Sequence, residues 1–139
     1  MGISLIEIYL SEVTAPEIEH GFAALAEQQP DAVLISTAQG IGAHHQLIVE
    51  LAQRYHLPAM YPFRVFVEAG GLMTYTPDVA DLGRQLAEDV RGILEGTKPG
   101  DIPIYQATKF ALVINLKTAK ALGLTLPRSL LLLADEVIE

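Results

Sequence analysis

Three brief apolar runs, each followed by a helix-length stretch, constrain this chain more than any other feature. They are "DAVLIS" (Asp31–Ser36), "LPAMYP" (Leu57–Pro62) and "LMTY" (Leu72–Tyr75). Runs this short and this rich in apolar and β-branched residues are strands, and uninterrupted hydrophobicity marks strands buried in a parallel sheet. Parallel strands need crossover connections, and the intervening sequence supplies helices for them. Thr14-Ala15-Pro16-Glu17 reads as a helix start, with Thr14 as cap and Glu17 closing a capping box. The apolar face of that helix is Ile18, Phe22, Leu25 and Ala26, and Pro30 stops it near Gln28 or Gln29. After "TAQGIGAHH", Leu47, Ile48, Leu51, Ala52 and Tyr55 form a second amphipathic helix from about Gly42. A single turn is expected at Arg64 to Ala69. Thr76-Pro77-Asp78 opens a third long helix, with Pro77 at its first position and Val79, Leu82, Leu86, Val90 and Leu94 turned inward. Gly96 ends it, and "TKPGDIP" is the one linker-like stretch.

Ile3 to Tyr9 alternates loosely and reads as a further strand. The sum is an α/β fold: three layers, a mostly parallel sheet flanked by helices, with right-handed crossovers. The expected organisation is an α/β lobe over residues 1–104 and a crossing strand with C-terminal helices over 105–139, all in one domain. "TKFALVINLKTAKALGLTLP" (Thr108–Pro127) changes from strand period to helix period with no turn between. Asn115 can cap the helix that begins there and Gly123 can end it.

Composition narrows the function classes. Of 139 residues half are hydrophobic, enough for a real core, while no apolar run approaches the roughly 18 residues of a membrane span. Without cysteine there are no disulfides, thiolate metal sites or cysteine nucleophiles. A net charge of −8 with nine scattered Lys and Arg argues against a nucleic-acid partner. Met1-Gly2-Ile3 leads straight into a strand-like stretch without a basic leader, so the expectation from these residues is a cytosolic chain or a piece of a longer one.

Ligands of such sheets sit beyond the carboxyl ends of the strands, here Thr37 to Gly42, Tyr61 to Arg64 and Tyr75 to Asp78. Gly40 and Gly42 occupy the place of a dinucleotide fingerprint, but His45 stands where the third glycine belongs. What remains open is an anion held on helix N–H groups or a plain glycine turn. His44 and His45, being adjacent, diverge by about 100° on a helix and cannot share a metal, so no metal and no cofactor is expected. No serine stands in a nucleophile elbow and no carboxylate dyad is visible. Tyr61, Phe63 and Tyr75 suit a small-molecule pocket, whereas Phe66, between Val65 and Val67, reads as core packing.

From "LPAMYPFRVFVEAGGLMTYTPDVADL" through "TKFALVINLKTAKALGLTLPRSLLLLADEVIE" the chain resembles the carboxyl-terminal part of the ABC transporter substrate-binding proteins that include aromatic-amino-acid binders. "EAGGLMTY" and "KFALVINLKTAKALGLTLP" are the distinctive signatures, and the resemblance runs from about Pro16 onward. It implies one lobe of a type I periplasmic-binding fold, non-enzymatic, closing with a second lobe on a solute such as an amino acid and delivering it to an ABC permease. It implies export or a lipid anchor for a full-length precursor, and cytoplasmic residence if the chain is complete as given. Thr37, Gln39, Gly40, Tyr61, Phe63 and Tyr75 would face the interlobe cleft. The first lobe, and the strand that opens the second, are outside the matched part. The expectations that follow are weak binding by the isolated chain, exposed apolar surface, and self-association as a homo-oligomer, with Leu116, Leu122 and Leu124 packing on a neighbouring chain. A free-standing cytosolic sensor or dimeric interaction module is the alternative, and an α/β enzyme with an anion pocket at Gly40 to His45 comes third.

Overall fold

The computed structural model describes residues 2–139; Met1, where the reading for an export signal began, lies outside them. Helix α1 (Ala15–Gln28) leads to strand β1 (Val33–Leu34), and a 3-10 turn (Ile41–His44) to α2 (His45–Arg54). Strand β2 (Ala59–Tyr61), the short α3 (Arg64–Glu68) and β3 (Met73–Pro77) follow, then α4 (Val79–Leu94). A second 3-10 turn (Pro99–Asp101) precedes β4 (Phe110–Asn115), α5 (Leu116–Ala121), α6 (Arg128–Leu133) and β5 (Glu136–Ile138). The five strands stand in the order β1-β2-β3-β4-β5. All neighbours are parallel except β3 and β4, which run antiparallel with Thr74 opposite Val113 and Pro77 opposite Phe110. The fold is α/β with a mostly parallel sheet, as expected.

The core lies on one face of that sheet. Ile18 and Phe22 of α1, Ile48, Val49, Leu51 and Ala52 of α2, and Phe66 of α3 meet Val33, Ala59 and Tyr61 there. Phe66 is fully buried, in keeping with its reading as core. The α3–β3 junction is fixed by two hydroxyls. Thr74 donates to the Tyr61 carbonyl at 2.7 Å and Thr118 to the Gly70 carbonyl at 2.7 Å, each satisfying a backbone oxygen that sheet and helix leave over. Asn115 accepts from the Thr118 amide at 3.1 Å and so caps α5, and Gly123, at φ +70, ends it with the Leu124 amide bonded back to Ala119.

Several expectations need correction. Residues Ile3 to Tyr9 are not a strand: among the described residues nothing in the chain pairs with them, and Ile3, Leu5 and Tyr9 are exposed. Thr14 makes no side-chain cap; Glu17 takes a hydrogen bond from the Ser11 hydroxyl instead. "DAVLIS" narrows to two strand residues, of which Val33 is buried and Leu34 is 72% exposed. Pro77 ends β3 rather than starting a helix, and Asp78 caps α4 by accepting from the amides of Ala80 and Asp81. The largest departure is α4, whose apolar stripe does not turn inward: none of its residues is buried, and Val79, Leu86, Val90 and Leu94 lie open. The periodicity was that of a packed helix, but no element of these residues covers that side. Strand β4 pairs with β3 and β5 within this sheet, and Leu116, Leu122 and Leu124 are half-buried within the chain itself.

Gly71 is set by contact. A Cβ there would stand 2.6 Å from Tyr61 Cε2 and 2.7 Å from the Phe66 carbonyl oxygen, neither of which can retreat, since the Tyr61 ring is itself stacked on Phe66 at 5.2 Å. Gly71→Ala is expected to lower stability by about 1–3 kcal/mol through overpacking, read as a lower urea midpoint with unchanged slope. Gly100, which has open space around it, serves as the control and should tolerate alanine.

Candidate functional site

A cavity of about 530 Å3 opens beyond the carboxyl ends of the first three strands. The exit of β1 contributes Ser36 and Thr37, the exit of β2 Pro62 and Phe63, and the end of β3 Tyr75 and Thr76. Leu34 and Met60 from the strands themselves, with Val79 and Leu82 from the first turns of α4, extend it along the sheet face opposite the core. No charged side chain lines it. Its polar groups are hydroxyls and backbone amides, which direct a bound molecule without requiring it to carry charge at this wall.

Of the residues expected at a ligand site, Thr37, Tyr61, Phe63 and Tyr75 border this cavity, and Gln39 and Gly40 do not. The reason lies in the loop's own geometry. Gly40 adopts φ +85, a left-handed turn that glycine makes without strain, and swings Ile41 into the core, where it is buried. Two of the amides that an anion would need are already used: Ile41 donates to the Ala38 carbonyl and Ala43 to that of Gly40. His45 spends its Nδ1 on the Gly42 carbonyl at 2.9 Å, with its ring edge-on to Phe66. A carbonyl only accepts, so Nδ1 carries the proton. Among the described residues no group of His, Asp and Glu is arranged to hold a metal ion.

The aromatic residues divide into two sets. Tyr61, at 3% exposure, stacks on Phe66 with an 18° interplanar angle, and burial pushes its phenol up. It bounds the site as a core residue more than as an open ring. Phe63 lies 6.4 Å from Phe66 and is exposed, so it offers a free ring supported from behind. On the other side Tyr75 stacks on Phe110 at 5.2 Å, both half open to solvent. Phe110 does not line the cavity but stacks on Tyr75 from outside it, a placement that depends on the antiparallel register of β3 and β4, which no local pattern reveals. Val79 and Leu82 were missed because amphipathic spacing assigned them to packing.

Asp81 ties the segment before β4 to this end of α4. It accepts from Lys109 Nζ at 2.9 Å, Tyr105 Oη at 2.8 Å and Arg84 at 3.0 Å, and those bonds, that of Lys109 foremost, hold its carboxyl down at about 2. A second ion pair joins Arg64 to Glu68 and Glu136, linking α3 to β5, and Glu136 raises the guanidinium further above its ordinary range. Because the Asp81 value is depressed, its tie is complete above the ordinary carboxylate value of 3.8 and is lost as pH falls through about 2. A carboxyl-carbon NMR titration should place the Asp81 midpoint near 2. Asp81→Asn should speed tryptic cleavage after Lys109 at neutral pH; an ordinary midpoint and unchanged cleavage would show that the tie does not form in solution.

The comparisons with known proteins agree with this architecture. The family model described as ABC transporter substrate binding protein matches residues 1–138. A conserved domain protein from Vibrio cholerae is similar in structure with a TM-score of 0.81 and 25% identity, over 91% of this chain and 42% of its own. An ABC domain from Streptococcus pneumoniae, solved in complex with L-Trp, has a TM-score of 0.81 and 30% identity over 90% of this chain and 42% of its own. A substrate-binding protein with adhesive properties from Clostridium difficile, in its ligand-free, open structure, shares the fold at a TM-score of 0.60 and 23% identity, over 83% of this chain and 39% of its own. The chain therefore spans less than half the length of these relatives. Among curated proteins, none matches it.

Proposed function

The chain belongs to the ABC transporter substrate-binding protein family, and on that footing we propose that it forms one wall of a solute cleft, binding without catalysis. The observation that carries this reading is the neutral, aromatic-edged cavity beyond the carboxyl ends of β1, β2 and β3, where Thr37, Phe63 and Tyr75 converge. The solute it suits is a small molecule with an apolar or aromatic part, such as an aromatic amino acid. The L-Trp complex of the pneumococcal relative supports that choice. An amino acid's ammonium and carboxylate find no counter-charge on this wall, so they would be held by the opposing lobe of a two-lobed receptor. In that setting the assembled protein works outside the cytoplasm and hands its solute to an ABC permease.

A single wall leaves much of a solute wet, so binding by these residues alone should be weak, with Kd on the order of millimolar, about −4 kcal/mol. Titrating isotope-labelled protein with L-tryptophan should shift the amides of Ser36, Thr37, Phe63, Tyr75 and Thr76, and glycine should not. Tyr75→Ala, a change at an exposed ring, should flatten the titration while leaving the rest of the spectrum in place. If none of these amides moves by about 10 mM tryptophan, the reading is wrong for this wall.

A further inference from the structure

Of the three rings that line the cavity, Tyr75 is the one the core does not support. Tyr61 is buried on Phe66, and Phe63 has Phe66 behind it. Thr74 shares the core face with Tyr61, so Tyr75 takes the opposite face, where it is 53% exposed. The hydroxyls of Tyr9 and Tyr105 find carboxylates, whereas among the described residues that of Tyr75 takes no partner. A tyrosine so placed on an open strand would ordinarily sample several χ1 rotamers. Phe110 gives it a flat neighbour: the two rings are 5.2 Å apart and 20° from parallel, the offset stack that ring quadrupoles favour.

That neighbour is supplied by strand register and then fixed in place. Strands β3 and β4 set Tyr75 opposite Leu112 and Pro77 opposite Phe110, so Phe110 lies diagonal to Tyr75 on the same face, within reach of an aromatic side chain. Its backbone is anchored through the preceding residue. The Lys109 carbonyl accepts from the Asp78 amide at 3.0 Å, and Lys109 Nζ donates to Asp81 at 2.9 Å. The first residue of β4 is thereby clasped to the start of α4, just beyond the strand that carries Tyr75. A ring stacked on one side and still more than half exposed keeps its other side open. The cavity lies on that open side, because Tyr75 lines it and Phe110 does not.

We propose that Phe110 is a positioning residue for the solute wall: its ring holds that of Tyr75 in a single orientation, and that orientation gives the wall a preference for flat rings over aliphatic solutes. The inference rests on the cleft-wall reading above and names what sets its selectivity. A flat solute gains from stacking when the tyrosine ring already lies at the matching angle, and a freely turning ring must first be ordered. An aliphatic solute gains chiefly by covering apolar area, which depends little on how the ring is turned. Loss of the Phe110 ring therefore falls on the first class and spares the second.

The test compares the whole chain with Phe110→Leu, which stays apolar without a flat face, and Phe110→Tyr, which restores one. Phe110 is partly exposed and outside the buried core cluster, so the variants should keep the backbone NMR spectrum of the parent away from β3 and β4. Three-bond couplings about the Tyr75 Cα–Cβ bond should report one χ1 rotamer in the parent and in Phe110→Tyr, and averaged values in Phe110→Leu. In amide titrations Phe110→Leu should weaken binding of L-tryptophan about threefold to tenfold and leave that of L-leucine within about twofold, while Phe110→Tyr matches the parent. A single Tyr75 rotamer in Phe110→Leu would overturn the inference, and so would an equal loss for the two amino acids. If the parent binds neither, the wall reading fails and the preference with it, and the couplings still decide whether Phe110 orients Tyr75.

Discussion

A right-handed crossover fixes the side of a sheet on which its helix lies, and most of this molecule follows from that constraint. Two successive parallel steps in one direction, β1 to β2 and β2 to β3, place α2 and α3 on one face, and the core assembles there because each helix, with α1 beside them, brings its stripe to the same place. The opposite face receives nothing from this run of chain. The burial of Phe66 and Ile48 and the exposure of Leu34 and Leu86 therefore have one cause.

The covered face is held by a few exacting contacts rather than by volume alone. The β2–α3–β3 turn brings Tyr61, Phe66 and Gly71 so close that only hydrogen fits at the glycine. Thr74 then claims the carbonyl of Tyr61, and Asn115 caps α5 from the end of the neighbouring strand. These contacts set the height at which β2 and β3 end, and so where Phe63 and Tyr75 emerge. The site is thereby placed largely by residues behind it, with the exposed Phe63 ring backed by buried Phe66 and Tyr75 stacked on the half-open Phe110.

The parts of this fold legible in the sequence were those governed by local chemistry. The Gly70-Gly71 break, the single turn of α3, the Asn115 cap and the glycine stops at Gly96 and Gly123 all stand where residue types demand them. The parallel sheet and the core role of Phe66 followed from run length and burial preference. What failed was anything that depends on a neighbour. Ile3 to Tyr9 has strand composition but no ladder, since a strand exists only in a pair. Thr14 had the right spacing for a capping box, yet Ser11 captured Glu17 first. Thr37, Phe63 and Tyr75 border the cavity, as the rule of strand ends expects, whereas the place of Phe110 behind Tyr75 depends on the register of an antiparallel pair. Gln39 and Gly40, expected by that same rule, do not line the cavity, because the loop turns to bury Ile41.

Amphipathic spacing records which residues are to be buried, not by what. In α1 and α2 the stripe meets its partner within these residues, and in α4 a stripe of the same kind meets solvent. Local interactions do not distinguish the cases: α4 has a good aspartate cap, an Arg84–Asp81 pair and a glycine stop, so its backbone is satisfied without any packing of the stripe. A helix of this kind can persist uncovered, but its apolar face costs free energy in water for as long as it does. The solute cavity borders the same uncovered face through Leu34, Val79 and Leu82. Whatever covers α4 therefore also sets the shape of the cavity, and packing and recognition at this end of the sheet are one physical problem.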